Sequence, residues 1–483
     1  MKSNNVTRRI LAAAVLASVL AMSGCAVGPR YQRPSVAVSK NWTVDQGAGT
    51  KAGEPSVEWW KSFNDDEFNR LVERAVRANL DLKLAAARVA EARAQAGIAR
   101  SGLLPSVNAS ASASRNRQRV IAVSPGPSAS AHLVPIEFNN YQGGFDASWE
   151  LDLFGSVRRG LQAANADTRA AAEARRDVLV TLLGEVGRSY VELRGFQLRR
   201  EIAEKNINIQ QDTLHLTEAR AKAGLATELD VSRARAQLET TESVIPTLQS
   251  GIENSIHHLS VLLGEEPSAL RAELLPSAPV PLLPPEVPTG MPSELLERRP
   301  DIRQAEAQVM AATARVGEAK ADFFPRFLLL GTAARQASQL HDLTLGMGNV
   351  FGAGPAITLP IFTGGRLRSQ LRVQDARLQQ AVISYRKVIL SALEETEDGL
   401  VNYSQEQKRR ERLEDAVKSN EEAVQLSSET YRAGLTDFLS VLDAERELYA
   451  NEDLLAQSRT TQAVNLVALY KALGGGWQSI SQP

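Results

Sequence analysis

The sequence is poor in several features that common functional classes require. Its 483 residues include one cysteine, Cys25, which excludes an intramolecular disulfide and a cysteine-based metal site. Aromatic residues make up only 5% of the chain, and 55 basic residues balance 56 acidic ones, so no strong field for nucleic acid is evident. A Walker sequence is also missing, so the chain is not expected to hydrolyse ATP, and any energy must come from a partner.

Motifs for covalent chemistry are equally scarce. His257 and His258 are neighbours, so on a helix they point about 100° apart and cannot share a metal ion. Ser384 and Lys387 match Ser-x-x-Lys, but they lie in a heptad pattern without the companion motifs of a serine acylase. We therefore predict no catalytic residue, no metal site, no cofactor and no enzymatic activity.

The N-terminus predicts a lipoprotein signal peptide over residues 1–24. A basic segment precedes the apolar run "ILAAAVLASVLAM", which is too short to span a bilayer, and "SGC" follows it. The pattern resembles that of bacterial lipoproteins, with cleavage before Cys25 and covalent lipid on Cys25, although Met22 replaces the usual Leu. Ala26 stands where inner-membrane retention calls for Asp, which points to the outer membrane. An ordinary secretory signal with an incidental cysteine is the alternative.

Four later stretches alternate with the period of a β-strand. They read "PSVNASASAS", "GGFDASWELDLF", "RFLLLGTAAR" and "FGAGPAITLPIF". In the second, Trp149, Leu151 and Leu153 share one face and acids occupy the other. This pattern suits strands of a barrel with lipid outside and water inside. Half-buried strands of a soluble protein alternate identically, so the pattern alone leaves both open.

Between these strands, long proline-free segments predict very long helices. Residues 156–223 and 363–433 contain no proline, and at the rise of an α-helix each segment is long enough for a helix of roughly 100 Å. Apolar residues recur with heptad spacing, which indicates left-handed coiled-coil packing, at Leu371, Leu378, Val382, Tyr385, Ile389, Ala392, Val441, Leu448, Leu455 and Leu469. Many other seam positions hold Ala, Ser, Asn or Gln, which favours helices arranged in a wall with one wet face.

The sequence contains two copies of one pattern. The prolines of "GLLPSV" and "DFFPRF", Pro105 and Pro325, are offset by 220 in sequence number, and Gly224 and Gly434 are offset by 210. Because Phe154 and Phe362, which follow the strands, are offset by 208, the larger offset fits about a dozen extra residues in the first strand-to-strand loop, at "VSPGPSASAHLVP". The predicted segments are a lipid-anchored extended segment 25–62, a first repeat 63–275 (strands about 105–154, hairpin tip about 222–232), a proline-rich linker 276–292, a second repeat 293–476 (strands about 325–362, tip about 432–443) and a tail 477–483.

Each copy carries an Ala-Gly-Leu turn between two helices. Gly224 with Leu225, and Gly434 with Leu435, stand where a long helix must stop, and glycine takes the left-handed conformation cheaply. The spacing of Thr227 and Asp230 predicts a capping box for the next helix. Ser440 and Asp443 have the same spacing and predict a second box. Two helix hairpins follow from this pattern.

Quoted motifs along nearly the whole chain resemble one family. They are "GPRYQRP", "WWKSFNDDEFNRLVERAVRANLDLKLAAARVAEARA", "WELDLFG", "LLERRPDIRQAEAQ", "AKADFFP", "LPIFTGG", "YRAGLTDFLSVLDAER" and "LYKALGGGW". Together they resemble TolC/OprM-type outer-membrane factors of the NodT-like lipoprotein branch, and are most similar to OprM-like channels of drug efflux.

That resemblance implies a mixed α and β fold in a homotrimer. Each protomer gives four strands to a shared twelve-stranded antiparallel β-barrel, and its helices join a coiled-coil α-barrel in the periplasm. The implied role is the gated outer-membrane duct of a tripartite efflux system, which exports drugs, solvents or other small molecules. The implied partners are a periplasmic adaptor, an inner-membrane pump of the RND type and outer-membrane lipid. The rival hypothesis is a periplasmic coiled-coil lipoprotein without a pore, which would have no use for the alternating strands.

The resemblance also assigns roles to the hairpin tips. They would form the periplasmic constriction and the adaptor-docking surface. Relatives carry acids at the positions of Ser440 and Asp443, and only Asp443 is kept here. Asp230 and Asp437 are further gate candidates, although either can simply cap a helix. Tyr431 and Arg432 match a region that ties neighbouring helices together in the closed state of relatives.

Overall fold

A computed structural model describes residues 26–43, 49–51, 53–123, 131–344 and 348–480. The predicted signal peptide and Cys25 lie outside the described residues. The chain forms two compact units, and each unit draws on both sequence repeats. One unit contains the chain up to Pro34, Ala90–Ala170 and Glu306–Ile383; the other contains Ser35–Val89, Ala171–Ala305 and the chain from Ser384 onward. A single repeat is therefore not a compact unit by itself.

The internal repeat is visible in the lengths of the elements. In chain order the helices and strands are β1 (Thr50–Lys51), α1 (Asp66–Ala78), α2 (Leu80–Ser101), β2 (Ser106–Val123), β3 (Ala131–Leu151), α3 (Ser156–Lys222), α4 (Glu228–Glu242), α5 (Val244–Leu262), α6 (Arg271–Leu274), β4 (Val287–Pro288), α7 (Leu295–Arg298), α8 (Pro300–Ala321), β5 (Arg326–Ala337), β6 (Asn349–Thr358), α9 (Arg366–Arg432) and α10 (Phe438–Ala472). Helices α2 and α8, which both precede a strand pair, have 22 residues each. Helices α3 and α9, which both follow a strand pair, have 67 residues each. The predicted long helices are confirmed.

The first unit holds a four-stranded antiparallel sheet in the order β2-β3-β5-β6. Directly paired residues share a face, so Phe145 joins Ala109 and Ala333 on the apolar side. This side is open in the single chain, where Phe145 is 61% and Phe351 88% exposed. On the opposite face the Asp146 carboxylate accepts hydrogen bonds from the Ser110 and Thr332 hydroxyls, at 3.2 and 3.0 Å. The four alternating strands are confirmed.

Two details of the strands differ from the predictions. Leu153, which was predicted on the same strand as Trp149 and Leu151, lies beyond β3, because β3 ends at Leu151. Its continuation turns so that the Asp152 carboxylate can accept from the backbone N–H of Arg158, at 2.8 Å, in the first turn of α3. In addition, residues 131–135 belong to β3 and not to a loop. Pro135 is tolerated there because β3 pairs with β5 only from Tyr141 onward.

The second unit has an aromatic core. The Trp59 ring stacks on Tyr470 with centroids 5.4 Å apart, and Phe68 stacks on Tyr190 at 5.3 Å. The Tyr190 hydroxyl donates to the Asp65 carboxylate at 2.8 Å, and that carboxylate also caps α1. These contacts hold the short 3₁₀ helix Trp59–Phe63 to α10, and α1 to α3. The core thus combines residues from opposite ends of the sequence.

The helices after the two turns differ between the copies. The first copy is interrupted at Ser243, between α4 and α5, whereas α10 runs unbroken for 35 residues. Pro246 lies three residues beyond the interruption and has no N–H to donate to the preceding turn. Its counterpart in the second copy is Ala456, which donates normally and lies inside α10.

We expect Phe68→Ala to destabilise the second unit by about 3–5 kcal/mol, because Phe68 is fully buried against Tyr190 and truncation leaves a cavity. Thermal unfolding followed by near-UV circular dichroism of the detergent-solubilised protein measures the change. Leu282→Ala is the control, since Leu282 is 75% exposed and should leave the transition unchanged. Equal midpoints for Phe68→Ala and Leu282→Ala would contradict this role of the aromatic core.

Candidate functional site at the two helix turns

The two Ala-Gly-Leu turns have the same backbone geometry. Gly224 and Gly434 both have φ of +73°, a region that residues with a Cβ rarely adopt. At the first turn the N–H of Leu225 donates to the Arg220 carbonyl at 2.8 Å, and at the second the N–H of Leu435 donates to the Thr430 carbonyl at 2.9 Å. Both are Schellman motifs that satisfy the last carbonyls of a 67-residue helix. Leu225 and Leu435 are 69% and 79% exposed, so each turn presents one apolar side chain outward.

The caps of the following helices are not equivalent. Thr227 and Asp230 form the predicted capping box, in which each side chain accepts from the other's backbone N–H. The predicted box of Ser440 and Asp443 is wrong. Asp437 is the N-cap of α10, and its carboxylate accepts from the backbone N–H and the hydroxyl of Ser440, at 3.2 and 2.9 Å. The order of acid and hydroxyl is thus reversed between the copies, because the matched position of Thr227 is Asp437.

The acids near the turns therefore have different surroundings. Asp230 and Asp437 are held in caps, and the hydrogen bonds from Ser440 hold the pKa of the exposed Asp437 below its ordinary value. Asp443 stands outside both caps. Its half-exposed carboxylate lies 3.3 Å from the Arg446 guanidinium, one turn further along α10.

Tyr431 connects the two hairpins within one chain. Its buried ring packs with Phe438, at a centroid distance of 5.7 Å, and the cluster extends to Ala234 of the first hairpin. The Arg220 guanidinium lies 4.4 Å above the ring, and its Nη1 atom is 3.4 Å from the Tyr431 carbonyl. A cation at this position also suits the C-terminal end of α9. The exposed Arg432 lies next to this cluster.

Beneath the cluster, a cavity of about 220 Å³ lies between α3, α9 and α10. Its lining is partly apolar and partly polar, and consists of Ile209, Asp212, Thr213, Leu216, Val424, Ser428, Tyr431, Arg432, Val441 and Glu445. Glu445 is only 6% exposed and accepts one hydrogen bond, from the Thr213 hydroxyl at 2.9 Å. Among the described residues, neither its Oε2 atom nor the Tyr431 hydroxyl has a hydrogen-bond partner. Burial therefore raises the pKa of Glu445.

Sequence reasoning missed Glu445 and Arg220. Glu445 has a counterpart one heptad later, Glu452, which is also buried and accepts from Lys205 and Asn206 at 3.1 and 2.7 Å. Two acids one heptad apart, in a seam flanked by Val441 and Leu448, are the signal that identifies this polar column. Arg220 left no such signal, because its partner lies on the other long helix, far away in the sequence.

The predicted membrane-facing residues belong to the first unit, whereas both turns belong to the second. Trp149 is 37% exposed on the apolar face of the sheet, and its indole N–H donates to the Leu103 carbonyl at 3.1 Å. Leu151 ends the same strand and is half-buried. In the part of the chain that the structure describes, no helix has an apolar stretch that is long enough to cross a bilayer.

The outer membrane efflux protein family model matches residues 71–265 and 291–475. The chain belongs to this family. The two matched ranges keep the spacing of the internal repeat, so each copy of the pattern is matched separately. The chain is therefore an outer-membrane protein with a periplasmic helical part.

Three curated relatives match almost end to end. The toluene efflux pump outer membrane protein TtgF of Pseudomonas putida is 32% identical over 480 residues, covering 96% of this chain and 97% of the relative. The pyoverdine export outer membrane protein OpmQ of Pseudomonas aeruginosa is 32% identical, with 97% of each chain covered. The cation efflux system protein CusC of Escherichia coli is 32% identical, covering 95% and 97%. These relatives handle chemically unrelated compounds.

Solved structures show the same fold. The outer-membrane channel OprN is 36% identical with a TM-score of 0.86, covering 94% of this chain and all of that one. The open state of the Neisseria gonorrhoeae outer membrane channel MtrE is 27% identical with a TM-score of 0.81, covering 95% and 100%. The mixed α and β fold of this family is thereby confirmed, and the non-pore coiled-coil alternative is not supported.

We expect Glu445→Gln to raise the unfolding temperature at about pH 7–8. The folded state raises the pKa of this carboxyl above its ordinary value of 4.5, so its ionisation at higher pH costs stability that the amide does not lose. The advantage should shrink as the pH falls towards 4.5, where the carboxyl becomes protonated in both states. Thermal unfolding across this pH range measures the difference. Glu447→Gln, on the exposed face of the same helix, should show no such trend, and a pH-independent effect of Glu445→Gln would contradict the expectation.

Proposed function

We propose that this chain is the outer-membrane duct of a tripartite efflux complex, a passive gated conduit for small molecules. The observation that carries the proposal is the four-stranded sheet of this efflux-family chain. The sheet has an open apolar face, and its edge strands β2 and β6 have no further partner strand among the described residues. Unpaired backbone groups are not tolerated in lipid, so other copies must complete the sheet. Three copies give twelve strands, an even number that suits a membrane barrel.

The helix turns are proposed as the periplasmic mouth of the duct. Three chains place six turns around one opening, each with an exposed leucine at the same Schellman position. A repeated apolar contact, at Leu225 and Leu435, suits docking of a periplasmic adaptor. Gly224 and Gly434 fix the direction of these leucines.

Asp443 is the proposed constriction residue. Among the predicted gate candidates, Asp230 and Asp437 are engaged in caps and Ser440 carries no charge, so Asp443 remains as the candidate acid that stands outside a cap. Three such carboxylates around an axis would favour cations.

Tyr431 is proposed to hold the two hairpins together when the duct is closed. Arg220 contacts both its ring and its carbonyl, and Arg432 lies beside it. Partners that favour the splayed state would open the duct.

The remaining partners are proposed from the relatives. TtgF is described as part of a toluene efflux pump and CusC as part of a cation efflux system, so an inner-membrane pump, of the RND type by resemblance, should supply both energy and selectivity. Covalent lipid on Cys25 would anchor the mature N-terminus to the outer membrane. No covalent chemistry is proposed for the chain, and the cargo class is left to the pump.

We expect the protein purified in mild detergent to be a trimer, and to give small, cation-preferring conductance in a planar bilayer. Analytical ultracentrifugation with detergent correction measures the mass, and reversal potentials under a salt gradient measure the selectivity. A monomer that stays in water after removal of the lipid, without conductance, would disprove the proposal.

We expect Asp443→Ala to raise the single-channel conductance or to weaken the cation preference, because it removes three carboxylates from the proposed constriction. Asp415→Ala is the matched control, since Asp415 is also an exposed acid paired within one turn, to Arg412, but lies away from the turns on α9. Records that are identical for Asp443→Ala and the wild-type protein would contradict the gate assignment while leaving the duct itself in place.

A further inference from the structure

The apolar face of the sheet has two aromatic boundaries. Trp149 and Tyr141 lie on the same face of β3, eight positions apart. At about 3.4 Å per residue this is roughly 27 Å along the strand, or about 21 Å in height for a strand tilted by about 40°. Membrane strands carry an apolar band of about 25 Å between aromatic girdles. Tyr141 therefore marks one edge of the band, and its partner Ala113 marks the same level on β2.

Beyond this level the polarity of the hairpin inverts. The pairing of β2 and β3 continues without a bulge to Val123 and Ala131, so each residue keeps its face. Between this level and the pair of Ile121 and Leu133, the face that carried Ala109 and Phe145 now carries three arginines in alternate positions, Arg115, Arg117 and Arg119. On the other face, polar lower down, β3 now carries Val134, Ile136 and Phe138, opposite Val120, Gln118 and Asn116 of β2. An inversion at one level marks the end of the hydrocarbon zone and the start of a polar layer.

The arginines outnumber the acids on their face. Glu137 lies 2.9 Å from Arg115 and 3.6 Å from Arg117, so one carboxylate is shared by two guanidinium groups. Over the described residues 113–123 and 131–141, Glu137 is the one carboxylate on this face. The side chains of Arg115 and Arg117 are 75% and 69% exposed. The patch therefore has a net positive charge directed away from the opposite, apolar face.

The connectivity fixes which membrane leaflet meets the patch. Helices α2, α3, α8 and α9 all join the sheet at the end where β2 starts and β3 stops. The arginines lie towards the other end, beyond the last pair of β3 with β5. With the helices in the periplasm, this is the outer end of the sheet, in the headgroup layer of the outer leaflet. This step rests on the proposed insertion of the sheet in the membrane.

We propose that Arg115, Arg117 and Arg119 form a binding surface for the phosphate groups of outer-leaflet glycolipids. A planar guanidinium group can bind two phosphate oxygens at once. Because this surface has few carboxylates and lies at the height of the headgroups, its guanidinium groups are free to bind lipid phosphates. Successive arginines on one face stand about 6.8 Å apart along β2, so the patch reaches more than one phosphate. The surface would hold the duct at a fixed depth and surround it with a defined lipid.

The test is a titration of the full-length protein in non-ionic detergent with diphosphorylated lipid A, read by native mass spectrometry. The variant Arg115→Ala/Arg117→Ala/Arg119→Ala is expected to bind lipid A about tenfold more weakly or worse, since each basic residue near a charged lipid contributes several-fold. Dephosphorylated lipid A should bind the wild-type protein as weakly as diphosphorylated lipid A binds the variant. Arg77→Ala/Arg188→Ala/Arg412→Ala is the matched control, with three exposed arginines removed from the helices, and should bind like the wild type.

Three outcomes would overturn the proposal. They are unchanged lipid A binding by the sheet variant, an equal loss in the helix control, and displacement of lipid A by millimolar inorganic phosphate, which would indicate a free-anion site. Conductance of the same samples in planar bilayers is recorded separately. A wild-type protein without conductance would refute the proposed duct, whereas conductance with unchanged lipid A binding would refute only the lipid surface.

Discussion

Backbone hydrogen bonding at the edges of the sheet is the constraint on which the rest of this structure depends. Among the residues that the structure describes, strands β2 and β6 each leave one side of their backbone unpaired, and lipid offers no donor or acceptor to replace a partner. One copy therefore cannot place its apolar face in a membrane alone. In both repeats the strand pair leads into a 67-residue helix. Every additional copy that completes the sheet would therefore bring the same set of helices to a shared axis.

Elements with a regular local pattern could be predicted from the sequence. The alternation of apolar and polar residues predicted the four strands, the absence of proline predicted α3 and α9, and glycine predicted both turns. The errors arose where two local solutions compete. Asp437 and Ser440 can each serve as an N-cap, and only the path of the chain decides between them. Likewise, the pairing of residues 131–135 with β2 overrode their loop-like composition.

The core of the candidate site depends on contacts that a linear pattern does not contain. Arg220 meets Tyr431 across two helices, and Glu445 is buried where α10 packs against α3, whose Thr213 donates to it. Heptad spacing predicted the seam but not its partner helix, since α9 and α10 both carry such seams. The polar column of Glu445 and Glu452 limits the stability of this packing. A buried carboxylate with few hydrogen-bond donors makes the seam less stable than an apolar side chain at the same position would.

The matched turns have one further consequence, for symmetry. Leu225 and Leu435 are equivalent in backbone conformation, so the proposed trimer would offer approximate sixfold repetition to a docking partner. Inside, the copies diverge: Tyr431 and Phe438 correspond to Ala221 and Glu228, and the break near Pro246 has no counterpart in α10. Around the Tyr431 cluster, the proposed trimer would therefore retain only threefold symmetry. A partner could then engage six similar sites while the conformational response is confined to three.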